Sequence, residues 1–177
     1  MTIQTKPTTL LVPVAIGSAV AVALGVYGGL HQPAGYSINI AGFSNTQAVK
    51  SWLATTATVF GLVQLVSALM MWGKIPGASW IGVVHRWSGR IAVLVAVPVV
   101  VHCLYALGFQ ISEPRVLVHS LLGCFFFGAF TAKMLLLTRK ELPGWVLPVV
   151  GGGVFTALIG LWLTSSLWFF TTFGVIL

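Results

Sequence analysis

The chain has 177 residues, of which 58% are hydrophobic and only 6% charged, with a mean hydropathy of +1.01 and a formal net charge of +7. An ordinary soluble domain carries about 25% charged residues, and nine Lys and Arg with two Asp and Glu cannot coat a globule of this size. The composition excludes a soluble enzyme, a secreted disulfide scaffold and a disordered chain. Spread over the loops of a membrane protein, the positive charge does not point to nucleic acid.

Crossing the hydrocarbon as helix takes roughly 20 mostly apolar residues. Five stretches qualify, at about 9–30, 47–72, 80–109, 115–138 and 145–171. They predict an all-α bundle of five transmembrane helices forming a single transmembrane domain over 1–177. In the first span Gly17, Ala21, Gly25 and Gly29 recur every four positions, a stripe on which another helix backbone packs closely. Lys6 and Ala21-Val22-Ala23 also fit a signal peptide, but the sequence starts at Met1 and the segment reads as a retained span. The loop 31–46 follows, in which Ser44 and Gln47 fit a capping box opening the second helix. As the longest outer segment, it is the natural dock for a periplasmic partner. Gly73-Lys74-Ile75-Pro76-Gly77, Ser112-Glu113-Pro114 and the 138–144 stretch, with Pro143 and Gly144, punctuate the remaining spans.

With the N-terminus in the cytoplasm, Lys6, Lys74, Arg86, Arg90, Lys133, Arg139 and Lys140 lie inside and Lys50 and Arg115 outside. That bias places the C-terminus outside and the protein, multi-pass, in the cell's inner (plasma) membrane. Trp52, Trp72, Trp80, Trp87 and Trp145 sit near span ends as an aromatic belt. No carboxylate falls midspan: Glu113 and Glu141 are in loops, and Gln64 is the most polar midspan residue of the second helix. An ion-coupled transporter needs an ionisable group at depth, so that class is disfavoured. There is no phosphate-binding glycine loop, HExxH or zinc-type cluster, and Cys103 and Cys124 read as small buried hydrophobes.

The chemistry therefore rests on His31, His85, His102 and His119, since histidine inside a span is costly without a partner. His102 lies about ten residues before the middle of the turn between the third and fourth helices, and His119 about seven after it. At 1.5 Å per residue their depths differ by a few Å. Paired on a helical hairpin, they offer the two imidazoles of a bis-histidine haem; the bland alternative is a hydrogen bond between helices. Gly123, one turn from His119, leaves room for a macrocycle edge, with Phe126 and Phe130 on the same face. Pro98 precedes His102 by four residues and re-aims it.

His85 stands 17 residues before His102, roughly 25 Å along the axis. It is a ligand for a second haem, with Met70, Met71 or Met134 as partner, or a hydrogen-bond donor to a quinone carbonyl beside Trp87. Arg115 is a candidate anchor for a haem propionate. Arg86 and Arg90 either clamp propionates or reach lipid phosphates. His31, at the outer end of the first span, reads as interfacial.

The run His85-Arg86-Trp87-Ser88-Gly89-Arg90, then His102-Cys103, then Arg115 to Gly123, resembles small membrane b-type cytochromes and ferric-reductase-like transmembrane domains. It resembles still more a family of small actinobacterial five-helix membrane proteins. The likeness covers roughly 80–138 and implies haem b on His102 and His119, the metal ligands, with His85 a third candidate. Two-haem members carry two ligands on each of two helices, whereas the fourth span here has only His119. No flavin or nicotinamide domain follows the last span.

The expected function is an electron-transfer subunit, rather than a complete enzyme, between the quinone pool and an extracytoplasmic redox partner. Its partners are the bilayer, other membrane or periplasmic redox subunits and a homo-oligomeric copy. The competing expectation is a cofactor-free accessory or assembly subunit of a larger respiratory complex, which the glycine stripe also fits.

Overall fold

A computed structural model describes residues 7–37, 39–140 and 142–177, so Lys6 and Glu141 lie outside the described residues. Their regular structure is all helical: α1 (Pro7–Leu30), α2 (Thr46–Met71), α3 (Ile81–Val101), α4 (Pro114–Leu137), α5 (Val146–Trp162) and α6 (Trp168–Phe173). A π-helical segment, His102–Leu107, extends α3, and a second, Leu163–Leu167, joins α5 to α6. Five spans result, of 23 to 28 residues and low charge. At 1.5 Å per residue each is at least about 34 Å long, enough for a hydrocarbon core of roughly 30 Å. Their outward faces, with Leu11, Val22, Leu94 and Phe125 exposed, are apolar, as a lipid-covered surface must be.

The span limits fall within two residues of those expected from sequence, because Pro and Gly end the helices for backbone reasons. Pro114 occupies the first turn of α4, where its missing N–H is no loss. After α2, Gly73 takes φ +66°, and its N–H and that of Lys74 bond back to Met70 O and Leu69 O at 3.0 and 2.9 Å. That pair of bonds is the glycine-dependent helix stop that satisfies otherwise orphaned carbonyls. The start of α2 differs from expectation. Asn45, not Ser44, is the cap, its Oδ1 accepting from Ala48 N at 2.9 Å. Ser44 instead donates its N–H to Leu177 O at 2.7 Å and accepts from Asn45 Nδ2. Two adjacent residues could each cap, and the tail claims one of them.

The chain forms two compact units. The first comprises residues through Gln32 with Gly108–Leu161, and the second Pro33–Leu107 with Trp162–Leu177. In the first, α1 packs antiparallel on α4. A Cβ placed on Gly17 would lie 2.5 Å from Gly128 O and 2.9 Å from Ala132 Cβ; one on Gly128 would lie 2.6 Å from Gly17 O. Backbones this close exclude any side chain, so the small-residue stripe of α1 finds its complement inside the same unit. Gly25 continues the contact toward Cys124 Sγ, whereas Gly29 faces nothing within 4 Å. Phe109 N closes the far end on Gly28 O at 2.8 Å.

In the second unit α2 and α3 form an antiparallel hairpin, and the segment from Trp162 packs on α2. Trp162 Nε1 donates to Thr55 Oγ1 at 2.9 Å, Ser166 Oγ to Ser51 O at 3.0 Å, and Trp52 Nε1 to Ile176 O at 2.9 Å. These hydroxyl and indole groups are thus satisfied helix to helix, as a water-free interior favours.

Adding one methyl group tests the α1–α4 seam. Gly17→Ala and Gly128→Ala should each destabilise by about 1–3 kcal/mol, the range for overpacking, while Gly29→Ala changes stability by less than about 1 kcal/mol. Thermal unfolding of the three variants in one detergent reads this out. Equal midpoints would show the seam to be looser than described.

Candidate functional site

His102 stands where α3 passes into its π segment. Pro98, one turn earlier, has no N–H to give the helical ladder, and the His102 N–H is shared between Pro98 O and Val99 O. From there the helix widens, an irregularity common at functional sites. Loop 33–35 reaches the end of this segment: Ala34 N donates to Tyr105 O at 3.1 Å and Gly35 N to Ala106 O at 3.2 Å. The imidazole Nε2 of His102 is closed off from solvent and has no hydrogen-bond partner among the described residues. A buried ring nitrogen left unbonded costs about 1–3 kcal/mol; the only other buried side-chain atom without a partner among the described residues is Ser51 Oγ.

His119 lies on α4 in the first unit, and His102 belongs to the second. The residues expected around His119 lie on the same helix. Phe126 is buried and stacks on Phe130, with ring centroids 6.4 Å apart and planes 13° apart. A Cβ on Gly123 would meet only Leu161 Cδ2, at 4.0 Å, so this face of α4 has room. Arg115, the expected propionate anchor, has Nη2 at 3.7 Å from Glu113 Oε2, a long and exposed pair worth little and easily exchanged. Ser120 Oγ brackets the turn, donating to Gln110 O and accepting from Gln110 N. His31 stacks on Tyr27 with centroids 5.1 Å apart, an end-of-helix arrangement in keeping with an interfacial role.

His85 is held by a polar cluster that sequence reasoning largely missed. Gln64 Nε2 reaches across from α2 to donate to His85 O and, at 2.8 Å, to Ser88 Oγ. Ser67 Oγ lies 2.8 Å from His85 Nδ1 and 2.6 Å from Val63 O. A hydroxyl has one proton, and the shorter contact to a carbonyl takes it. The hydroxyl thereby ties the His85 ring to the backbone of α2. Gly89 makes the cluster possible, since a Cβ there would lie 3.1 Å from Gln64 Oε1. The signal was present as Gln64, Ser67, Ser88 and Gly89, but only the hairpin register unites them.

Met70, one candidate partner for His85, lines the same α2–α3 surface as Ser67, whereas the exposed Met134 belongs to the other unit. Cys103 and Cys124 are both half-buried and form no disulfide. Among the described residues no three His, Cys, Asp or Glu side chains gather to hold a metal ion. A porphyrin supplies its own equatorial nitrogens, so haem asks only for axial ligands.

Fold and site together define an all-helical, multi-pass membrane protein with a histidine-bearing interior. The sequence matches a family of unknown function, DUF6529, over residues 10–177, and the chain belongs to that family. No curated protein and no solved structure matches it.

Replacing Gln64 by Leu removes the α2–α3 amide bridge while Ser88 keeps its bond to Val84 O at 2.8 Å. The expected loss is about 0.6 kcal/mol and under about 2, the span measured for interhelical hydrogen bonds in membranes. A loss above about 3 kcal/mol on detergent unfolding would assign the amide more than a pairing role.

Proposed function

We propose that this protein is the membrane subunit of a b-type cytochrome, with His102 and His119 as the axial ligands of one haem b. The observation that carries the reading is the buried, unpartnered Nε2 of His102. A neutral imidazole nitrogen withdrawn from water and hydrogen bonds is suited to a metal, and expensive without one. Bound haem supplies one-electron chemistry at a potential set by its axial ligands and surroundings. The chain's residues do the rest: Gly123 leaves clearance beside α4, Phe126 and Phe130 give an apolar wall, and Arg115 offers a guanidinium to a propionate. His85, its ring tied to α2 through Ser67, is the candidate for a quinone carbonyl contact or a second haem.

In this reading the N-terminus is cytoplasmic, and electrons pass between the quinone pool and an extracytoplasmic redox partner in the plasma membrane. The accessory-subunit alternative drew on the glycine stripe of α1, but Gly17, Ala21 and Gly25 are engaged with α4. That stripe no longer argues for an outside partner.

A dithionite-reduced minus oxidised spectrum of the purified protein, with haem quantified per chain, tests the proposal. A sharp α band with about one haem per chain is expected. His102→Ala and His119→Ala should each abolish haem retention, and His31→Ala should keep it. Gly123→Phe should lose haem while keeping the helical circular dichroism of the wild type. A flat spectrum from protein made with ample haem, or full occupancy in His119→Ala, would overturn the assignment.

A further inference from the structure

The hydrogen bonds of the second unit fix how α2 and α3 stand against each other. Gln64 meets Ser88 and Ser67 meets His85, so each residue taken back along α2 is matched by one taken forward along α3. Fourteen residues on from the Gln64–Ser88 contact, about 21 Å along the axis, Lys50 stands on α2 and His102 on α3. Fourteen residues are two heptads, the interval at which packed helices bring the same faces together again. The ammonium of Lys50 accordingly acts electrostatically on the His102 ring.

Lys50 is half-buried, and among the described residues no acidic side chain pairs with it. Within the second unit, the stretches 33–64, 91–107 and 162–177 carry no other charged side chain. Lys74, Arg86 and Arg90 all lie toward the opposite end of the hairpin. A cation drawn partly into hydrocarbon is costly without a counter-charge. Haem brings the complementary need, because its two propionates carry negative charge into the same low dielectric. Arg115 offers one counter-charge, but it belongs to the first unit. In the unit that holds His102, Lys50 is the cation at the level of the ligand, on a flexible four-carbon stem that can follow a carboxylate.

We infer that Lys50 is the counter-charge of one haem propionate at the His102 site. The inference rests on the haem reading above and adds a residue of α2 to a site otherwise built from α3 and α4. The role of Lys50 is to bind the carboxylate, not the iron, and a charge-assisted hydrogen bond from its ammonium does so.

The test titrates the haem-free full chain, in mild detergent, with haem b and with its dimethyl ester, which lacks the carboxylates. The visible spectrum reads binding of each. The ratio of the two affinities, acid over ester, should fall about fivefold in K50Q, the effect of one partly buried ion pair. K50R should keep the ratio within about twofold of the wild type, and so should K74Q, which loses the same charge at the other end of α2. A variant that only loosens the hairpin weakens both forms alike, and a lysine that only reaches lipid phosphate leaves both unchanged. Either result, an unaltered ratio in K50Q while the wild type binds haem, would overturn this inference and leave the haem reading standing. A wild type that binds neither form would overturn both.

Discussion

In hydrocarbon, a hydrogen bond that the chain does not make for itself goes unmade, and the arrangement of this protein follows from that condition. It forces the backbone into helix over five long stretches. It also sets where irregularity is tolerated, because the π segments at His102–Leu107 and Leu163–Leu167 put displaced backbone groups within reach of other donors and acceptors. Loop N–H groups meet the first segment, and the hydroxyl of Ser166 in the second reaches a carbonyl of α2. Against this background a single ring nitrogen without a partner carries weight that it would lack in a wet protein.

Close packing follows from the same scarcity of water. Lipid tails compete with apolar side chains on equal terms, so α1 and α4 gain by bringing backbones together rather than by burying Leu. Gly17 against Gly128 and Ala132 is that solution. The second unit takes the other route open to membrane helices, joining α2 to α3 through Gln64, Ser67, His85 and Ser88. One unit is held mainly by the absence of side chains and the other by a few polar ones.

The five spans were legible because hydropathy and Pro/Gly punctuation act locally, and each boundary falls within two residues of its expected place. The stripe on α1 was legible as half of an interface. Its complement was not, because Gly128 and Ala132 sit among phenylalanines that drew the eye to a cofactor wall. Gln64 reads in sequence only as the most polar midspan residue of α2, because its partners lie 21 and 24 positions away and only the register of the hairpin joins them. The cap of α2 was misplaced by one residue because the competing tail contact at Leu177 comes from the far end of the chain. The π segments leave no periodic signature that hydropathy can register. Of the candidate site, the isolation of the His102 nitrogen was not legible, because it depends on which groups the fold brings near the ring.

The contact of Ala34 and Gly35 with the carbonyls of Tyr105 and Ala106 gives the loop between α1 and α2 a divided character. Residues 34 and 35 act as a clasp, because their backbone finishes the helix that carries His102. Beyond Gly35, and before Ser44 takes hold of the tail, the sequence has no such duty. Insertions and deletions can accumulate in relatives between those two anchors without disturbing the span. Ala34→Pro or Gly35→Pro would each remove one of the two N–H groups that finish the span bearing His102.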